Sequence, residues 1–289
     1  MNGIFEKLTE YIKEILLGMI ESNLTDMFTD VNGKVGTIAM EVGQTPQGWN
    51  NNIFNLIRSL SETVIIPIAG IVITFVLCYE LISMIIDRNN LHDIDTWIFF
   101  KWIFKSMIAI YLVTHTFDII MAIFDVAQNI VSSASAVIST EANIDISSSV
   151  SGMILALEDK GLAELIGISL ETTLVKFIMD GLSVLITVIL YGRMIEIYLV
   201  SSVGPVPLAT MANREWGQVG NNYLRGLIAL GFQGFFIMVC VGIYAVLVRT
   251  ITITDNIHAS IFMILSYSIL LAFSLFKTGS VAKSVLNAH

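Results

Sequence analysis

Long apolar runs separated by polar stretches dominate the pattern of this sequence. Five of them approach or exceed the ~20 residues that a helix needs to cross the hydrocarbon core of a membrane. They predict spanning helices at about residues 63–86, 97–126, 223–248 and 257–276, and one within residues 174–211. The fold class is therefore all-α: a polytopic membrane protein with about five transmembrane helices, an N-terminal amphipathic helix and a helical exterior insertion.

Two stretches outside these runs are too polar to span. Apolar residues recur at helical spacing in residues 4–20 and charged residues fill the other face, which predicts an amphipathic helix. It lies on the membrane, docks on a partner or packs on its own bundle, and we favour packing because an anionic lipid surface repels its acidic face. Residues 21–58 form a polar segment with turns expected at Asn32-Gly33 and at residues 46–48.

The domain organisation follows from these runs. Residues 1–60 hold the amphipathic helix and the polar exterior segment, 61–127 hold helices 1 and 2, 128–173 form the exterior insertion, and 174–289 hold helices 3 to 5 with a Gly/Pro break at 204–207. Lys and Arg near the span ends, Arg88 among them, are more numerous on the side that holds the C-terminus. The positive-inside rule then places the C-terminus in the cytoplasm and the N-terminus outside a bacterial inner membrane.

The segment between the third and fourth helices interrupts an apolar helix. Gly204, Pro205 and Pro207 cannot continue it unbroken, because proline lacks the backbone N–H and restrains the residue before it. A polar patch with Arg214 and Trp216 follows. Freed backbone groups at membrane depth survive only when they are buried in protein or line a wet cavity. We interpret the segment either as a structured turn near a path through the protein or as a plain interfacial loop.

Ionisable residues inside the predicted spans are the second candidate feature. Five ionisable residues of the second predicted helix fall within roughly half of its circumference. They are Lys101, Lys105, His115, Asp118 and Asp125. Asp180, Arg193 and Glu196 lie in the third span, and Arg193 requires a partner because a charge near the bilayer centre costs at least ~2.5–3.5 kcal/mol. Glu196, three residues on, is the local candidate. The pair is either pore-facing or subunit-bridging, or it is a structural ion pair inside the bundle.

Composition narrows the function classes. A net charge of −9 argues against a basic nucleic-acid-binding surface, though not against a narrow path for a polyanion. No metalloprotease, serine hydrolase, phosphate-loop or CxxC motif occurs, the four histidines lack metal-ligand spacing, and Cys78 and Cys240 sit in apolar runs. We expect no enzyme activity, no catalytic residues, no cofactor and no metal.

The break is followed by an aromatic-rich start to the next helix. The residues of this pattern are Gly204-Pro205-Val206-Pro207-Leu208, Arg214, Trp216-Gly217 and Asn222-Tyr223-Leu224-Arg225. Together with the C-terminal stretch 280–286, they resemble the TrbL-type polytopic inner-membrane subunit of type IV secretion systems of the conjugative branch. Asn213 stands where that family commonly has proline or threonine.

This resemblance implies a membrane channel or scaffold component that helps form the passage for a DNA–protein substrate. The implied partners are copies of itself, the bitopic scaffold subunit, the traffic ATPases, membrane lipid and the translocating DNA–relaxase substrate. A small-solute transporter or ion channel built on Arg193, Glu196, Asp180, His115 and Asp118 is the alternative, although no internal repeat supports it. A membrane assembly or immunity protein without a passage of its own is the third.

Overall fold

The computed structural model describes residues 2–86, 96–139, 146–249 and 257–288. Within these ranges it consists of helices joined by short turns, with no strand. This confirms the all-α polytopic class. The predicted polar loop after the first span, with Arg88 of the charge count, lies outside the described residues, as do Glu141 and Asp145 of the insertion.

The described helices come in the following order. They are α1 (Asn2–Val42), α2 (Pro46–Trp49), α3 (Asn51–Leu60), a π-helical turn (Ser61–Ile65), α4 (Ile66–Ile86), α5 (Thr96–Thr114), α6 (Thr116–Ser139), α7 (Ile146–Leu155), α8 (Leu162–Val203), α9 (Pro205–Thr210), α10 (Gly217–Arg249) and α11 (Ile257–Val285). The predicted spans at 63–86, 223–248 and 257–276 fall within α4 and its preceding turn, α10 and α11 respectively.

Six segments of the described chain are long and apolar enough to cross a membrane, one more than the five that we expected. The additional segment arises because the predicted span at 97–126 is divided at His115 into α5 and α6. Thr114 Oγ1 donates to Ile110 O at 2.9 Å, and Thr116 Oγ1 donates to Leu112 O at 2.8 Å. Side chains that bond carbonyls one turn back bend helices, which explains the division.

The joint at His115 keeps helical bonding on both sides. His115 N donates to Tyr111 O at 3.0 Å, and Ile119 N donates to His115 O at 3.1 Å. A chain bonded in this way bends but does not reverse direction. The charged stripe predicted for one straight helix is consequently split between α5 and α6.

Three local expectations about polar segments are corrected. α1 runs unbroken through the predicted turn at Asn32-Gly33, because a buried face at helical spacing continues across it, with Val31 and Val35 at 1% and 8% exposure. Residues 46–48 lie in the one-turn helix α2, which Thr45 caps by accepting from Gly48 N at 3.0 Å. The predicted insertion begins inside a helix, because residues 128–139 are the C-terminal part of α6.

The chain forms two compact units, each assembled from separate segments. The first unit comprises residues 1–42, 132–190 and 237–277. Asn23 Nδ2 donates to Thr173 Oγ1 at 3.0 Å, and Lys176 pairs with Asp26, so polar contacts join α1 to α8 within this unit. The expected packing of residues 4–20 on the bundle is largely wrong, since most of these side chains are exposed and full burial begins at Ile20.

The second unit comprises residues 43–131, 191–236 and 278–289, and it contains the break. Here the last part of α8 packs antiparallel to the first part of α10, with Tyr223 Oη donating to Val200 O at 3.0 Å. Tyr198 Oη donates to Pro46 O at 2.5 Å and thereby fixes the start of α2. This unit therefore positions every residue of the predicted break motif.

Candidate functional site

The break begins where α8 gives way to α9. Pro205 has no N–H to bond Ser201 O, and Gly204 N takes that carbonyl instead at 3.4 Å. Proline at the first position of α9 suits a helix start, because the N–H it lacks would be unpaired there in any case. We call residues 204–216 the break segment.

Gly204 is required by close packing and not by an unusual backbone angle. Its φ of −49° and ψ of −39° are those of an ordinary right-handed helix. A Cβ at this position would lie 2.5 Å from Ile120 Cδ1 and 2.6 Å from Tyr223 Oη. The start of the break segment is thus pressed against α6 and α10 within the second unit.

The apolar part of the break segment packs against α4 and α5. The cluster consists of Ala69, Ile73, Val76, Leu77, Ala109, Val113, Ala209 and Ala212, with Val206 partly buried against it. Small side chains on both sides allow close approach between helices, which is how membrane helices pack in the absence of a hydrophobic driving force.

Asn213 is the polar anchor of the segment. Its Oδ1 accepts from Glu215 N at 2.8 Å and from Trp216 N at 3.0 Å, which caps the turn that leads into α10. Its Nδ2 donates to Glu80 Oε2 at 2.9 Å. One buried amide side chain therefore shapes the turn and ties it to α4.

Glu80 receives a second, charged partner from α5. The carboxylate is 7% exposed, and Lys105 Nζ pairs with its Oε1. Trp102, one turn earlier on α5, donates its indole N–H to Leu77 O at 2.9 Å and fixes the two helices side by side. A buried carboxylate is tolerated inside a membrane protein when charge and hydrogen bonds satisfy it, and here both oxygens have partners. We call Glu80, Lys105 and Asn213 the Glu80 node.

The end of the break segment is held by aromatic stacking. The Trp216 ring stacks on Phe75 at 5.4 Å and on Tyr79 at 5.6 Å between centroids. Tyr79 Oη also donates to Glu215 Oε2 at 3.1 Å. Arg214, between these anchored neighbours, is exposed.

Arg193 and Glu196, which were predicted to form an ion pair, bond to other partners in the structure. Arg193 is 6% exposed, its Nη2 donates to Leu230 O at 3.4 Å, and its Nε has no partner in the described part of the chain. Glu196 instead accepts from Lys283 Nζ of α11 at 2.9 Å. Arg193 is therefore a buried cation bonded to a backbone carbonyl, and Glu196 links two helices.

The other predicted charges have separate partners. Asp118 accepts from Arg58 Nη2 at 3.2 Å, and His115 Nδ1 lies 3.1 Å from Tyr111 O at the joint of α5 and α6. Asp180 is exposed and belongs to the first unit. The structure does not bring these residues together around Arg193 within the second unit.

Sequence reasoning missed the Glu80 node. The available signal was the general requirement that an acid in a membrane span must find a partner. Its partners lie 25 and 133 residues away along the chain, so neither pairing follows from local spacing. Within the described residues no group of His, Cys, Asp and Glu is arranged to hold a metal ion.

The comparisons with known proteins give one family match, which covers part of this site. Residues 31–205 match the family of TrbL/VirB6 plasmid conjugal transfer like proteins, and this match includes Glu80, Lys105 and the start of the break segment. No curated protein and no solved structure matches the chain. Because the match covers more than half of the 289 residues, the chain belongs to the TrbL/VirB6 plasmid conjugal transfer-like family.

Proposed function

We propose that this chain forms part of the passage for a DNA–protein substrate in a conjugative type IV secretion machine. Family membership and apolar helices already make it a multi-pass membrane component of a conjugal transfer system. The observation that carries the finer proposal is the Glu80 node, which holds an interrupted membrane helix in one conformation.

The physical argument starts from the interrupted helix. Proline removes backbone bonds there, and such irregular backbone is stable at membrane depth only inside protein or beside a water-filled cavity. The break segment is clamped on one side by α4 and α5 through buried contacts, while Arg214 stays exposed. A rigid turn with an outward-pointing cation is suited to line or border a hydrated passage.

The role is non-enzymatic in this proposal. The chain binds copies of itself, the bitopic scaffold subunit and the traffic ATPases that power transfer, and the DNA–relaxase substrate passes beside it. The proposed orientation has the C-terminus in the cytoplasm and the N-terminus outside. The bend between α5 and α6 supports this orientation. If the chain bends there without reversing, α5 and α6 together cross the membrane once, the number of crossings is five, and the two termini lie on opposite sides.

The transporter alternative gains no support from the geometry. It needs charged groups that converge on one binding site. Arg193, Glu196 and Asp118 instead contact a carbonyl, a lysine and an arginine respectively.

The experiment is plasmid transfer from donor cells that lack this chain. Transfer should disappear and return with the wild-type chain, while a variant with Glu80→Ala, expressed at the same membrane level, should restore it poorly. Formaldehyde cross-linking followed by precipitation of the chain should recover the transferred DNA strand only while the ATPases are active. Normal transfer in cells without the chain would contradict the secretion role. If transfer is lost but the chain never cross-links to the transferred DNA, the chain would be a scaffold and not part of the passage.

A further inference from the structure

The N-terminal part of α1 carries an apolar stripe that the rest of the described chain leaves uncovered. Its members are Ile4, Leu8, Tyr11, Ile15 and Met19, with exposures of 77%, 52%, 62%, 46% and 49%. At 100° per residue these five positions fall within ~80° of arc, so they form one continuous strip. α1 is not among the candidate membrane spans. An exposed apolar strip on a helix that does not span marks an interaction surface.

The strip is separate from the face by which α1 packs into the first unit. The buried face of α1 begins at Ile20 and continues through Leu24 and Met27, all at 1% exposure or less. On the helical wheel these buried positions lie on the side opposite to the strip. The helix therefore uses one face to hold itself in the first unit and turns a second apolar face outward.

An acidic groove runs beside the strip, within the first unit. It has a volume of about 730 Å³ and lies between α1 and residues at and just after the end of α7, Ile154 and Glu158. The charged residues that line it are Glu10, Glu14, Glu21 and Glu158, with Lys7 and Lys13. Four carboxylates against two ammonium groups leave it negative. On the helical wheel the three α1 glutamates lie ~60–100° from the nearer edge of the strip. Tyr11, at that edge, belongs to the strip and also lines the groove, so the two surfaces adjoin.

Charge selects among the possible occupants. An anionic lipid surface is repelled by the glutamates. A symmetric pairing with a second copy would place the same glutamates against each other, in a chain whose net charge is already −9. A segment with apolar residues at helical spacing and lysine or arginine on its polar face complements both the strip and the groove.

We propose that the strip and the acidic groove together dock a basic amphipathic helix of another protein of the secretion machine. This proposal rests on the proposed function, since it takes the partner from the same assembly. Apolar contact along the strip supplies the adhesion, and the glutamates select the basic partner and set its orientation.

The test places a photo-reactive residue at Leu8 of the full chain in donor cells that are transferring DNA. The cross-linked partner peptide is identified by mass spectrometry. The same reaction is run with Glu14→Lys in the groove and with Asp159→Lys, an equal charge change at an exposed carboxylate outside it. Glu14→Gln is the milder variant, and immunoblots of the membrane fraction check that all chains accumulate equally.

The expected product joins Leu8 to a peptide rich in lysine and arginine. Its yield should fall about tenfold with Glu14→Lys, less with Glu14→Gln, and by no more than about twofold with Asp159→Lys. Products that contain only lipid or a second copy, no product at all, or equal yields for Glu14→Lys and Asp159→Lys would overturn the docking proposal. Normal transfer in cells lacking the chain would instead overturn the proposed function, so the two failures are distinguishable.

Discussion

Asn213 donates its side-chain N–H to Glu80 at 2.9 Å, and these residues lie 133 positions apart in the sequence. The bond joins the turn before α10 to the C-terminal third of the membrane helix α4. It shows how one amide shapes the break: its oxygen caps the turn and its nitrogen satisfies a buried carboxylate.

The first prediction concerns that amide. Asn213→Ala removes a donor from buried Glu80 and the cap from the turn, and should lower the free energy of unfolding by ~1–3 kcal/mol. Asn213→Asp should be worse, because it sets a second carboxylate against Glu80. Thermal unfolding of the full chain in detergent, together with transfer frequency, measures both. Asn222 is the matched control: it is only partly buried and its partner is Gln218 one turn away, so Asn222→Asp should change little. Asn213→Asp as stable as wild type would contradict the bond.

The second prediction concerns the pair Glu80 and Lys105. Glu80→Leu alone leaves the Lys105 ammonium and the Asn213 side-chain N–H without their acceptor. Glu80→Leu combined with Lys105→Met removes both charges together. The double variant should therefore be less destabilised than the sum of the single variants, with a coupling of ~0.5–3 kcal/mol. The partial exposure of Lys105 favours the lower half of that range. Unfolding of the four chains in one detergent gives the coupling, and strict additivity would mean that the two charges do not interact.

The third prediction is that alanine substitution at two glycines of the second unit changes stability in opposite directions. Gly204→Ala drives a methyl group against Ile120 and Tyr223 and should destabilise by ~1–3 kcal/mol. Gly192→Ala, in α8, meets open space and should stabilise the helix by up to ~1 kcal/mol. The midpoints of thermal unfolding of the two variants should consequently move in opposite directions from wild type. A neutral Gly204→Ala would show that α6 and α10 can separate at the break.

Much of the fold follows from local sequence, and the reasons for the exceptions are physical. Span positions and the break could be predicted because hydropathy and proline act within one helical turn or one run. The unbroken α1 could not, since the turn propensity of Asn32-Gly33 is overridden by burial of Val31 and Val35 in the tertiary structure. The bend at His115 depends on three adjacent side chains that compete for carbonyls, and no apolar pattern records that competition.

The candidate site was half predictable for the same reason. Gly204, Pro205 and Pro207 carry their own backbone signal, and α8 ends at Val203 while α9 begins at Pro205. The node that holds it depends on Glu80 and Lys105, whose meeting with Asn213 requires α4, α5 and the turn to be packed first. The spacing within one helix predicts an ion pair between Arg193 and Glu196. In the structure the Glu196 carboxylate accepts from Lys283 of α11 instead, a residue that no local spacing connects to it.

The last prediction compares two arginines of the second unit. Arg193 is buried and bonded to Leu230 O, so Arg193→Ala leaves a cavity in the packed region between α8 and α10 and removes the bond that joins the two helices there. Arg225 is exposed and can stay hydrated, so Arg225→Ala should be nearly silent. We expect plasmid transfer to fall at least about tenfold more with Arg193→Ala than with Arg225→Ala, because burial makes the loss of a side chain more costly than exposure does.

Membrane levels of the two variants separate their causes. If Arg193→Ala accumulates normally yet does not transfer, the buried cation acts in the passage or in subunit assembly. If its level falls with transfer, the guanidinium holds α8 to α10 inside the chain, and Arg193→Lys should recover part of the level, because an ammonium can still donate to Leu230 O. Equal effects of Arg193→Ala and Arg225→Ala would contradict the special position of Arg193, since burial is the property that distinguishes the two side chains.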